Sequence, residues 1–234
     1  MSSSFEYVLG LGDDALVLAQ RLSEWCARAP ELEEDVALAN IALDQLGAAR
    51  LFLTYAGELE GEGRDEDALA YLRTDREFRN ALLVELPERD FAVLTAKLLF
   101  ASAYQRLLYE RLAAGSDVRL AAIAAKTVKE SAYHVDHSAQ WTVRLGDGTP
   151  LSHQRMQDAV DEVWPYTHEL FEDNHVLTDP WLSTVDNVLA EAKLIRPGYG
   201  WAPTGGRTGR HTEALSYLLA EMQVVHRAHP GARW

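Results

Sequence analysis

The stretches Asp44-Gln45-Leu46-Gly47-Ala48-Ala49-Arg50 and Lys129-Glu130-Ser131-Ala132-Tyr133-His134 decide how this chain is read. Each lies inside a long segment whose apolar residues recur at the helical period. Residues three or four apart on a helix share a face. A carboxylate-bridged di-iron bundle uses that spacing for a Glu-x-x-His pair on each of two helices, and adds a Glu from each of two others. The matching frames here are Gln45-x-x-Ala48 and Ser131-x-x-His134. Gln is neutral, Ala has no donor atom, and Ser stands where the second carboxylate belongs. A further long helical segment has no Asp or Glu from Phe91 through Tyr109, so it offers no bridging carboxylate. The first helix still holds Glu24, with Gln20 one turn earlier. The pattern is that of a metal-bundle fold with most of its ligands replaced.

Working outward, the periodicity predicts one all-α domain over residues 1–234, a four-helix bundle with added short and C-terminal helices. Asp13 or Asp14 is the expected cap of a first helix carrying Leu16, Leu18, Leu22 and Trp25 and ending before Pro30. A second helix is expected from about Glu31 to Glu58, its acidic start suited to the positive end of the helix dipole. Gly57, Gly61 and Gly63 then predict a solvated loop, and a short helix is expected from Glu77 to Val84. Asp90 and Asp117 are the expected caps of long helices reaching Ala114 and Leu145. Thr149-Pro150 predicts another start, with a break at Trp164-Pro165. A helix after Pro180, a Gly/Pro-rich stretch from Pro197 to Gly209 and a last helix from Thr212 to Ala228 complete the chain.

The composition narrows function. With 22 basic and 36 acidic residues the net charge is -14, which disfavours nucleic-acid binding through phosphates. The one cysteine, Cys26, cannot form an intrachain disulfide and suits a reducing compartment; it is expected to be a small buried hydrophobe. The Met1-Ser2-Ser3-Ser4 start lacks a signal-peptide pattern. No uncharged apolar run approaches membrane-spanning length. The expectation is a cytoplasmic protein without nucleic-acid or membrane partners. Gly198-Tyr199-Gly200 lacks the third glycine and the strand of a dinucleotide fingerprint. Trp25, Trp141, Trp164, Trp181 and Trp201 are expected in the core or at an interface.

Several polar residues remain to be placed. Asp44, Gln45, Glu130 and His134 are expected in the vestige of a metal pocket, with Asp44 and His134, or a nearby lysine such as Lys126, forming a buried polar network. The alternative is a reduced metal site at Glu130, His134 and His137, which share a face with Trp141. Arg196, Arg207 and Arg210 form a local basic cluster next to His211 in an acidic chain. They are candidates for contact with an acidic partner or with a phosphate-bearing substrate held by one, or else belong to a solvated crossing loop.

The runs Leu9–Asp13, Leu22–Cys26, Pro30 through Asp44 to Arg50, Leu82–Glu85, Lys126–His134, His211–Leu215, Glu221–Gln223 and Pro230–Trp234 together resemble the C subunits of bacterial ring-1,2-phenylacetyl-CoA epoxidases, over nearly the whole chain. The resemblance implies a ferritin-like fold and a non-catalytic, structural role in phenylacetate catabolism. It implies no catalytic residue and no cofactor in this chain, the di-iron centre residing in a catalytic partner subunit. It also implies a small bridging subunit and a flavin and iron–sulfur reductase as further partners. A metalloenzyme in its own right and a free-standing helical binding protein for an acyl-CoA remain as alternatives.

Overall fold

The computed structural model describes residues 4–198 and 200–232. The Met1–Ser3 start, Tyr199 of the Gly198-Tyr199-Gly200 motif and the Arg233-Trp234 ending lie outside the described residues. Among those described there is no strand. The helices are α1 (Phe5–Ser23), α2 (Leu32–Glu60), α3 (Glu66–Tyr71), α4 (Leu82–Glu85), α5 (Phe91–Ala113), α6 (Val118–Gly146), α7 (Pro150–Val163), α8 (Thr178–Glu191) and α9 (Glu213–Ala228), joined by short 3₁₀ turns. The all-α expectation therefore holds. The chain forms two compact units, one of Met1–Pro87, Ser116–Ile123 and Gly205–Trp234, the other of Glu88–Gly115 and Ala124–Thr204.

Most expected boundaries follow from local chemistry. Asp90 accepts from the Ala92 and Val93 amides at 3.0 and 3.1 Å and starts α5. Asp117 accepts from the Leu120 amide at 3.0 Å and starts α6. Thr149 closes a capping box with Ser152 ahead of Pro150. Gly61, at φ 74°, ends α2 in the left-handed conformation that glycine adopts most easily. Trp164-Pro165 does break α7, which gives way to a 3₁₀ segment, Trp164–Phe171.

The first helix is a correction. It begins at Phe5, capped by Ser4, and Asp13 and Asp14 lie buried inside it rather than at its start. Gly10 and Gly12 lie within α1 and serve packing. A Cβ on Gly12 would lie 2.7 Å from Leu53 Cδ2, so the glycine lets α1 and α2 approach closely. The short helix expected over 77–84 is also revised. Residues 75–77 form a 3₁₀ turn, 78–81 are extended, and α4 covers only Leu82–Glu85, while α3 appears within the stretch expected to be loop. Residues 78–81 lose helix because their amides bond elsewhere: Arg79 N–H to Asp13 and Ala81 N–H to Asp14, at 2.8 and 2.7 Å.

In the first unit, α1 packs against α2, and α3 packs against α2 and α9. By length and composition α2 could cross a membrane, with an 18-residue window of mean hydropathy 1.3. Much of that window is buried within the fold against α1, as in any core helix. In the second unit, α5 packs on α7 and α8. Trp181, 1% exposed, sits among Phe100, Trp164 and Phe171, with centroids 5.2–5.7 Å apart. Its indole N–H donates to the Phe100 carbonyl at 3.1 Å. Trp25 and Trp164 are also core residues, whereas Trp201 is exposed against Tyr166.

Candidate functional site

The expected metal-pocket residues are distributed over α2 and α6. On α2, in the first unit, Gln45 and Ala48 are buried and Asp44 is half-buried. On the part of α6 in the second unit, Ser131 and His134 are buried while Glu130 and His137 are half-buried. The buried face of α6 is a row of hydroxyls bonded to their own helix. Thr127, Ser131, Ser138 and Thr142 donate to the carbonyls of Ala124, Thr127, His134 and Ser138 at 2.8–3.1 Å. Such back-bonding satisfies a buried hydroxyl inside its own turn. His137 stacks on the exposed ring of Tyr133, at 6.2 Å between centroids. Among the described residues, no three His, Cys, Asp or Glu side chains are grouped so that they could hold a metal ion. Lys126 is exposed and therefore does not belong to a buried network.

α5 supplies a residue that periodicity and motif spacing do not single out. Lys97 is 0% exposed in the second turn of this helix and pairs with the buried Glu88. A buried ammonium is costly unless paired. The signal was present in the sequence as a lone lysine in an apolar stretch.

The densest polar cluster lies in the first unit and joins segments far apart in the chain. Arg73 holds Asp13 with two guanidinium nitrogens, one at 2.9 Å, with its plane over Phe78. Asp14 accepts from Arg207 at 2.9 and 2.7 Å. Glu85, 0% exposed, accepts from Asn80 Nδ2 at 2.8 Å and from the Thr212 amide at 2.7 Å. His211 places Nδ1 2.7 Å from Glu85 Oε2 and Nε2 3.0 Å from the Phe78 carbonyl. Both ring nitrogens thus face acceptors, which suits the doubly protonated imidazolium. Burial works against that charge, but the bond to Glu85 and its negative charge outweigh it, and the His211 pKa rises above 6.5. Arg21 adds bonds to the Glu85 and Ala214 carbonyls at 3.0 and 3.1 Å.

This arrangement relocates the expected basic cluster. Arg207 also donates to the Gly10 and Arg79 carbonyls, at 3.3 and 2.8 Å, so its guanidinium is directed into its own unit. Arg210 is exposed and lies over Gly205. Arg196 belongs to the other unit and pairs with exposed Asp186 at 2.9 Å. The Gly/Pro-rich stretch is not simply a solvated loop. A Cβ on Gly206 or Gly209 would lie 2.2 Å from the Asn80 or Arg76 carbonyl, so the segment packs directly on residues 76–82. Two other expectations also change. Cys26 is exposed, because α1 ends at Ser23 and the following turn carries it into solvent. Glu24 follows the end of α1 and pairs with Arg21 at 2.8 Å.

Residues 1–234 match the family model described as phenylacetic acid catabolic protein. The chain belongs to that family. The ferritin-like, all-helical fold is the fold of this family. The chain is 47% identical over 249 aligned residues to the C subunit of the 1,2-phenylacetyl-CoA epoxidase of Escherichia coli (strain K12), and both chains are covered in full. In this member of the family, the polar cluster is built from runs that also carry the resemblance. Leu9–Asp13, Leu82–Glu85 and His211–Leu215 contain Asp13, Glu85 and His211.

Proposed function

We propose that this chain is the non-catalytic subunit of a cytoplasmic, multicomponent phenylacetyl-CoA 1,2-epoxidase, pairing with and stabilising a di-iron subunit of similar fold. The observation that carries this reading is full-length similarity to a protein named as the C subunit of such an epoxidase. The chemistry of the donor set supports it, because the residues present do not fit a di-iron pair. Gln45 and Ala48 replace one Glu-x-x-His frame, Ser131 replaces the carboxylate of the other, and α5 has no acid between Phe91 and Tyr109. The Ser131 hydroxyl donates to its own helix, and the charged residue buried in α5 is Lys97, an ammonium already paired with Glu88. No step of the epoxidation is therefore assigned to residues of this chain.

Its contribution is a folded surface. Leu32, Val36 and Leu43 of α2 and Tyr217 and Val224 of α9 are exposed at helical spacing in an otherwise strongly acidic protein. Apolar groups left in water in this way suit subunit association. The pairing is expected to bury more than about 2,000 Å². A small bridging subunit and a flavin and iron–sulfur reductase complete the proposed assembly.

Co-expression with a catalytic candidate tests the reading. A stable complex is expected, with loss of epoxidase activity when this chain is omitted. No complex, together with full activity in its absence, would sink it. Metal analysis of the chain purified alone is the complementary test. Stoichiometric iron or manganese would instead support the metalloenzyme alternative at Glu130, His134 and His137.

A further inference from the structure

In the second unit, the 3₁₀ segment Trp164–Phe171, the start of α8 and residues 196–198 line a partly open cavity of about 190 Å³. Its walls are the rings of Trp164, Phe171 and Trp181, with Leu182 beside them. Trp164 and Trp181 are 5.5 Å apart at 38°, and Phe171 meets Trp181 at 5.2 Å and 63°. His168 and Thr178 also line the cavity, while two other polar groups of the wall are directed elsewhere. The Trp181 N–H donates to the Phe100 carbonyl, and the Thr167 hydroxyl donates to the Trp164 carbonyl at 2.8 Å. Beside those polar groups the inner surface offers the ring faces and edges of Trp164, Phe171 and Trp181, which favour a flat aromatic guest in offset or edge-on contact.

One residue of the lining carries a full charge. Arg196 lines the cavity, and its pair with Asp186 leaves the two side chains 40% and 45% exposed. An exposed pair of this kind contributes only about 0–1 kcal/mol. A carboxylate arriving from the cavity can share or take over that guanidinium in planar, two-bond geometry. Size narrows the class further. A cavity of about 150 Å³ is enough to hold benzene. The space here takes one ring with a short substituent and has no room for a nucleotide-bearing thioester.

We infer that this pocket binds a small aryl carboxylate, its ring held by Trp164, Phe171 and Trp181 and its anionic end by Arg196. The inference is independent of the epoxidase reading, since the site needs neither a metal nor a partner chain. It makes this chain a ligand-binding protein as well as a structural one.

The full chain, labelled with ¹⁵N, is titrated with phenylacetate, toluene and acetate while the Trp indole N–H signals are followed by NMR. Phenylacetate is expected to shift the Trp164 and Trp181 signals saturably, at roughly millimolar concentration or below for a ligand of this size. The Trp25 signal, from the other unit, should stay in place. Toluene should move the same two signals and acetate neither. Arg196→Gln should weaken phenylacetate about tenfold, as expected for loss of a charge-assisted bond, and leave toluene unchanged. Leu182→Trp, which fills the cavity, should abolish both. The inference is overturned if phenylacetate gives no saturable shift of Trp164 and Trp181, or if Arg196→Gln binds it as well as the parent chain does. Should Leu182→Trp fail to fold, the comparison of phenylacetate with toluene in Arg196→Gln still decides, because that side chain is substantially exposed.

Discussion

Replacing Glu85 by Gln removes one negative charge from the centre of the first unit while keeping its shape. Glu85 is 0% exposed and is the carboxylate facing His211 Nδ1, whose side chain is itself only 3% exposed. The imidazolium would then face a neutral amide and the Phe78 carbonyl, with little water to replace the lost charge. Breaking a buried pair from one side costs about 3–5 kcal/mol, and retention of an amide at the site puts the expected loss near the lower figure, about 3 kcal/mol. For a chain of this length that is a fall in melting temperature of about 6–12 °C. The sign of the pH dependence follows from the raised pKa of His211. A group that is more basic in the folded state stabilises the fold fully below its unfolded pKa, near 6.5, and loses that contribution as pH rises through the folded value. The penalty of Glu85→Gln should accordingly be largest at pH 6 and shrink by pH 9. Urea unfolding of the parent chain, Glu85→Gln, His211→Gln and the double variant at both pH values measures the coupling. A coupling below about 0.5 kcal/mol at pH 6, within the error of additive behaviour, or one that does not change between pH 6 and 9, would refute this account of the cluster.

Three further predictions test other parts of the fold. Lys97→Met should destabilise by about 3–5 kcal/mol, because it strands the buried Glu88 carboxylate, and adding Glu88→Gln should recover most of that loss; thermal melts of the single and double variants check this. Gly206→Ala places a methyl group 2.2 Å from the Asn80 carbonyl and should cost about 2 kcal/mol or more, whereas Gly200→Ala, with open space around it, should fall within about 0.5 kcal/mol of the parent chain. Asp44→Ala should lower stability by about 1–3 kcal/mol if Asp44 belongs to a polar network, and an unchanged melting temperature would remove that role.

The sequence by itself determined the helical class and most helix ends. Each of these is written within a turn or two of chain. Asp90, Asp117, Thr149-Pro150 and Gly61 act on amides and torsions a few residues away. What only the tertiary structure decided is where the buried charges find their partners. Asp13 and Asp14 looked like caps because an acid before an apolar run usually is one. They lie inside α1 because Arg73, 60 residues on, and Arg207, 193 residues on, meet them there. His211 looked like part of a basic surface until Glu85, 126 residues earlier, was found against it. A buried charge is stable only with a counter-charge and hydrogen bonds beside it. Periodicity reveals which face of a helix is buried, but it carries no information on which distant segment supplies the compensating group.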